Sequence, residues 1–80
     1  GWELNDNALE TTFEFHNFKE AFTLMTPIAF ECDAQNHHPD RSNVYNRLHI
    51  RLNTHDAGGV TEKDFKLAQT IEALVSTNPE

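Results

Sequence analysis

Five of the eighty residues are histidines, and three of them, His37, His38 and His55, crowd the middle of the chain. Imidazole is the side chain whose ordinary pKa, about 6.5, lets it give and take protons near neutral pH. Asp33 lies four residues before His37, one turn away if a helix reaches that far, where a carboxylate can orient or charge-stabilise an imidazole. Taken alone, His37-His38-Pro39 in a polar stretch suits a solvated surface loop, a metal site or an acid/base site. The metal reading is the weakest on chemistry. Adjacent histidines splay apart in regular structure, and the chain has neither a second cysteine nor the His-x-x-x-His spacing that zinc favours. A cluster of Asp33, His37 and His55 remains open. Cys32, placed near a helix end among acids, reads as a small buried hydrophobe whose thiol resists ionisation, so nucleophilic catalysis is not expected. Gly58-Gly59 lacks the lysine and the spacing of a phosphate cradle.

These side chains need elements to position them. Asn5-Asp6-Asn7 is a turn cluster, because Asn and Asp tolerate left-handed angles. It separates a short strand at Trp2-Glu3-Leu4 from a second over Leu9 to Phe15, with Phe13 and Phe15 on one face and Thr12 and Glu14 on the other. Asn17 caps a helix, with Glu20 in capping-box position. Phe18, Ala21, Phe22, Met25, Ile28 and Ala29 form its apolar stripe, read as core or subunit contact, and it extends to about Asp33. Pro27 predicts a kink or a restarted first turn. Ala34 to Ser42 reads as loop. Asn43 to Thr54 alternates, with Val44, Leu48, Ile50 and Leu52 inward and His49, Arg51, Asn53 and His55 outward; a break near Asn46-Arg47 makes it two antiparallel strands. After a turn at Ala57-Gly58-Gly59, Thr61 caps a last helix with Asp64 at its third position. Phe65, Ala68, Ile71, Leu74 and Val75 form its inner face, and Pro79 marks a frayed end. The expected fold is α+β in two layers, a four-stranded antiparallel sheet with helices on one face, in the order strand-strand-helix-strand-strand-helix.

Composition narrows the partners. Six basic against thirteen acidic side chains leave a formal charge of −7, which works against direct binding of nucleic acid. One cysteine excludes an internal disulfide framework. No apolar run approaches the roughly 18 residues that span a bilayer, so no membrane contact is expected. Residues 1–80 make one domain with a thin core, which favours association with further subunits.

One pattern is more specific than any of these. Asp33-x-x-x-His37-His38-Pro39, Tyr45 after five residues, His55 after nine more and Asp64 after eight more resembles the signature of the pterin-4a-carbinolamine dehydratases. The resemblance extends to Asn43-Val44-Tyr45-Asn46-Arg47-Leu48-His49-Ile50, Thr54-His55-Asp56, Gly1-Trp2, Phe13-Glu14-Phe15 and Phe22-x-x-Met25. It implies the fold already read. It also implies a hydro-lyase that removes water from 4a-hydroxytetrahydropterin to give quinonoid dihydropterin, in tetrahydrobiopterin recycling. By this resemblance no metal or organic cofactor is needed, since the pterin is the substrate. His38 is the favoured acid toward the 4a-hydroxyl, with His37 and His55 holding the ring or handling the second proton. Asp33 and Asp64 are supporting carboxylates, and Asn36, Arg41, Asn53 and Thr54 fall at substrate-binding positions.

The chain also departs from the pattern. Arg41 stands where relatives commonly carry Trp, an aromatic that would pack beside the pterin; a flat guanidinium there either stacks on the ring or is simply solvated. Asn36 stands where some relatives carry an acid, and the family's usual helix before Gly1-Trp2 is absent from these eighty residues. Members of the family are typically homotetramers built as dimers of dimers, and the location implied is cytoplasmic, with a nuclear share left open. The alternative function is non-catalytic: some animal relatives are dimerisation cofactors of a homeodomain transcription factor, a role for which the Phe18/Phe22/Met25 stripe would serve.

Overall fold

Two tight hairpins organise the sheet in the computed structural model, which describes residues 1–76. Strand β1 (Glu3–Asn5) turns into β2 (Ala8–Glu14) through Asp6 and Asn7. Both turn residues have positive φ, 49° and 63°, as the hairpin turn matched to strand twist requires. Strands β3 (Asp40–Val44) and β4 (Arg47–Leu52) are joined by Tyr45 and Asn46. Tyr45 has a φ of 51°, which is uncommon for a bulky side chain. Its turn is held by Asn43, whose Nδ2 donates to the carbonyls of Tyr45 (3.1 Å) and Arg47 (2.8 Å). Asn46 ties the same turn to β2 by donating to the Phe15 carbonyl at 2.7 Å.

The sheet order is β1-β2-β4-β3, with every pair antiparallel. In the β2–β4 register Leu9 faces Leu52, Thr11 faces Ile50 and Phe13 faces Leu48, all on the core side. Glu10–Arg51, Thr12–His49 and Glu14–Arg47 occupy the opposite, open face. Val44, expected inside, is 69% exposed. The register explains the correction: Val44 pairs with Arg47 and Asn43 with Leu48, so parity flips across the two-residue turn and Val44 follows the outward set. Pairing of Asp40 with Arg51 and Arg41 with Ile50 also draws Asp40–Ser42 into β3, leaving a shorter loop than expected.

Helix α1 (Phe18–Ala34) starts where the sequence indicated. Asn17 Oδ1 accepts from the Glu20 amide at 2.9 Å, and the Glu20 carboxylate accepts from the His16 amide rather than that of Asn17. The helix continues through Pro27 as one element, so no restart occurs there. Its buried positions are Ala21, Leu24, Ile28 and Cys32, with Met25 partly buried against the core. Phe22 and Phe30 are 54% and 71% exposed, and Phe18 is exposed beside Phe22 with ring centroids 5.6 Å apart. The expected stripe is therefore rotated. This helix is apolar on more than one face, and the sheet selects the face carrying Leu24 and Cys32.

A single 3-10 turn (His55–Ala57) leads to helix α2 (Glu62–Ser76). Thr61 and Asp64 form a capping box: the Thr61 amide donates to Asp64 Oδ2 at 2.8 Å, and Thr61 Oγ1 accepts from the Lys63 amide at 3.3 Å. Asp64, Leu67, Ala68 and Ile71 are buried. Phe65, expected inside, is exposed, because it lies one residue, about 100° of helix, from the face that Asp64 begins. The core joins Leu9, Leu48, Ile50 and Leu52 of the sheet to Ile28 and Cys32 of α1 and Leu67, Ala68 and Ile71 of α2. Trp2 closes the β1 end, its Nε1 donating to Glu72 at 3.0 Å. No helix among the described residues is long and apolar enough to cross a membrane. The fraying expected at Pro79 lies outside the described residues.

Candidate active site

The end of α1 sets the directions of the paired histidines. The helix closes in a Schellman motif: the Asn36 amide donates to the Asp33 carbonyl (3.1 Å) and the His37 amide to the Cys32 carbonyl (3.0 Å). This closure needs a left-handed residue, and Asn36, with a φ of 52°, tolerates that conformation. Asn36 therefore terminates a helix through its backbone, while its side chain is exposed.

The chain reversal turns His37 inward and His38 outward. His37 is buried, and its Nε2 lies 2.5 Å from Oδ1 of the fully buried Asp64. An ionised carboxylate only accepts, so in this arrangement Nε2 carries the hydrogen. The other carboxylate oxygen accepts from Thr54 Oγ1 at 2.9 Å and from the Thr61 amide at 2.8 Å. The Thr54 and Thr61 hydroxyls are 2.7 Å apart. With the Thr54 hydrogen committed to Asp64, Thr61 is the donor between them. Every member of this small network is satisfied, which a buried carboxylate requires.

His55 follows Thr54 and opens the 3-10 turn, which Gly58 ends at a φ of 71°. Thr54 thus links the His37–Asp64 pair to the loop that carries His55. The three imidazoles make no hydrogen bonds to one another among the described residues. Asn53 is half-buried between β4 and that loop.

His38 is exposed and sits 3.6 Å from Asp33 Oδ1, an ion-pair distance too long for a hydrogen bond. Asp33 therefore stands beside His38 and not His37, the neighbour expected if the helix had continued. His38 and Asp33 line an open groove of about 280 Å³ with Ala29, Phe30, Cys32 and Arg41. Burial is the main force raising the Cys32 thiol above its ordinary range; the charge of Arg41 opposes the rise and that of Glu31 adds to it. The acidic surroundings are thus a lesser cause than the sequence suggested.

The structure assembles two neighbouring pieces of chemistry. One is an imidazole held by a buried carboxylate that a hydroxyl and an amide fix in turn; the other is an exposed imidazole with a loosely placed carboxylate at a groove. Sequence reading missed Thr61 as a member of the network, although its capping box with Asp64 was the available signal. It also missed Ala29 and Phe30 as groove walls, having assigned Ala29 to the packed stripe.

Comparison with known proteins adds an independent line. The model of the family described as pterin 4 alpha carbinolamine dehydratase matches residues 1–74. The chain is 62% identical over 79 residues to a Christiangramia forsetii protein provisionally named a pterin-4-alpha-carbinolamine dehydratase, covering 98% of this chain and 81% of that one. A Sulfurisphaera tokodaii protein with the same provisional name is 45% identical over 76 residues, covering 95% and 82%. The crystal structure of a transcriptional coactivator/pterin dehydratase from Brucella melitensis matches with a TM-score of 0.89 at 38% identity, covering 92% of this chain and 81% of that one. A pterin dehydratase-like protein described as a RuBisCO assembly factor of the alpha-carboxysome shares the fold, with a TM-score of 0.79 at 15% identity, covering 98% and 90%. With its model matched from Gly1 to Leu74, this chain belongs to the pterin 4 alpha carbinolamine dehydratase family.

Proposed function

We propose that the protein is a hydro-lyase that dehydrates 4a-hydroxytetrahydropterin to quinonoid dihydropterin, returning the pterin for reduction in tetrahydrobiopterin recycling. The observation that carries this reading is the division between His37, fixed by Asp64, and His38, free at the groove beside Asp33. The reaction asks for such a division. The C4a–O bond breaks with its electron pair leaving on oxygen, which takes a proton from His38 and departs as water. The N5–H proton passes to a base, His37 or His55, and the N5 electron pair closes the C4a=N5 double bond. Each well-placed proton transfer is worth about 10²–10⁴ in rate. No carbonyl is attacked, so no nucleophile is required of Cys32. Asp33 supports His38 electrostatically, Asp64 holds His37 with the help of Thr54, and Arg41 borders the groove that takes the ring. On this reading the pterin is substrate and no metal or organic cofactor takes part.

The direct test supplies enzymatically generated 4a-hydroxytetrahydropterin and follows quinonoid dihydropterin by absorbance. The protein should accelerate its formation over the buffer rate in proportion to protein concentration. A rate equal to buffer at saturating protein would sink the proposal.

A non-catalytic role is favoured by a separate observation, the exposed Phe18, Phe22 and Phe30 of α1. Together with the coactivator half of the Brucella protein's name, they suit association into a homodimer or tetramer, or docking of a transcription factor. Phe30 also walls the groove beside His38, so a partner seated over it would cover the site, whereas one confined to Phe18 would leave the histidines open.

A further inference from the structure

We infer that Arg41 makes the groove select a pterin whose side chain ends in an anion, a phosphate or a carboxylate, over one with a neutral side chain. The inference rests on the dehydratase reading and adds to it the class of side chain. Arg41 pairs with the buried Ile50, so its side chain leaves the sheet on the helix side, at the edge strand β3. There it borders two adjoining grooves. The His38 groove is one; the other, about 270 Å³, is lined by Phe22, Met25, Thr26, Ala29, Phe30 and Arg41. Arg41, Ala29 and Phe30 are common to both, which places Arg41 at the junction.

Volume and charge then agree. The first groove is slightly smaller than the roughly 300–1,000 Å³ of small-molecule sites. It suits a bicyclic ring whose reacting edge faces His38, with the ring's side chain passing Arg41 into the second groove. Asp33 keeps an anion away from the His38 end, and Arg41 attracts one at the other. Its charge already reaches the groove floor, where it opposes the rise in the Cys32 thiol. Among the described residues Arg41 has no hydrogen-bond or ion-pair partner, although acids outnumber bases thirteen to six. Arg51, by contrast, spends its guanidinium on the carbonyls of Asn5 and Asp6. A free planar fork beside a substrate groove matches the paired oxygens of a phosphate or carboxylate.

The test uses the full chain and three unreactive probes sharing one ring: 6-hydroxymethylpterin, its phosphate ester and pterin-6-carboxylate. Binding is measured by fluorescence titration at low and high salt. The wild type should bind one or both anionic probes about tenfold more tightly than the neutral one, with the margin shrinking as salt rises. A preference for only one of them identifies phosphate or carboxylate as the recognised group. Arg41→Gln should abolish the preference, and Arg41→Lys should keep much of it. Equal wild-type affinities, or a preference that survives Arg41→Gln, would overturn the inference. So would an equal loss for all three probes, which assigns Arg41 to stacking on the ring. If the 4a-hydroxy substrates are dehydrated with no difference between side chains, the inference fails and the dehydratase reading stands. If none of the pterins binds, both fail.

Discussion

His37 and His38 are neighbours in the chain, each beside an aspartate, yet they sit in opposite physical settings. The His37–Asp64 pair is enclosed, with the carboxylate accepting from an imidazole, a hydroxyl and an amide. The His38–Asp33 pair is solvated and 3.6 Å apart. An enclosed pair is held because losing either partner strands the other in a low-dielectric interior. A solvated pair contributes little to stability and leaves its imidazole open to solvent. The difference teaches that one turn of backbone at Asn36 separates an enclosed, fixed imidazole from a solvated one.

The contrast can be broken most severely at Asp64. Asp64→Ala strands His37, Thr54 and the Thr61 amide, and urea unfolding should show a loss of about 3–5 kcal/mol. A loss under about 1 kcal/mol would mean that the enclosed pair is not what holds this end of the molecule together. A much smaller effect is expected on the solvated side. Asp33→Asn should change unfolding free energy by less than about 0.5 kcal/mol while lowering the dehydration rate by several-fold. A large stability loss there would erase the distinction between the two pairs.

The groove floor offers the finest test. The Cys32 thiol is raised by burial, so the unfolded chain ionises before the folded one. Stability from this group is complete below the unfolded thiol's range and is lost as pH rises past about 8.5. Melting temperature followed from pH 7.5 to 10 should fall less steeply in Cys32→Ala than in the wild type. Parallel curves would remove the thiol from the alkaline response.

Much of this arrangement was legible in the sequence because local chemistry dictates it. Asp6-Asn7 announced a left-handed hairpin turn, Asn17 and Thr61 announced helix starts, and Leu48, Ile50 and Leu52 announced an inner strand face. What escaped depended on distant partners. Val44 reads as inward until pairing across the turn flips its parity. Phe18 and Phe22 look as buriable as Leu24 and Cys32 on a helix with several apolar faces, and only the sheet decides between them. That adjacent histidines diverge followed from geometry. Which one is buried depended on Asp64, 27 residues beyond His37.

The proposed dehydration turns most directly on His38 as the acid that protonates the departing hydroxyl. The deciding measurement is the rate of quinonoid dihydropterin formation by His38→Ala at saturating substrate, with its melting temperature recorded alongside. A fall of about 10²–10⁴ with melting nearly unchanged is the predicted result. Dehydration at the wild-type rate by the folded variant would contradict it.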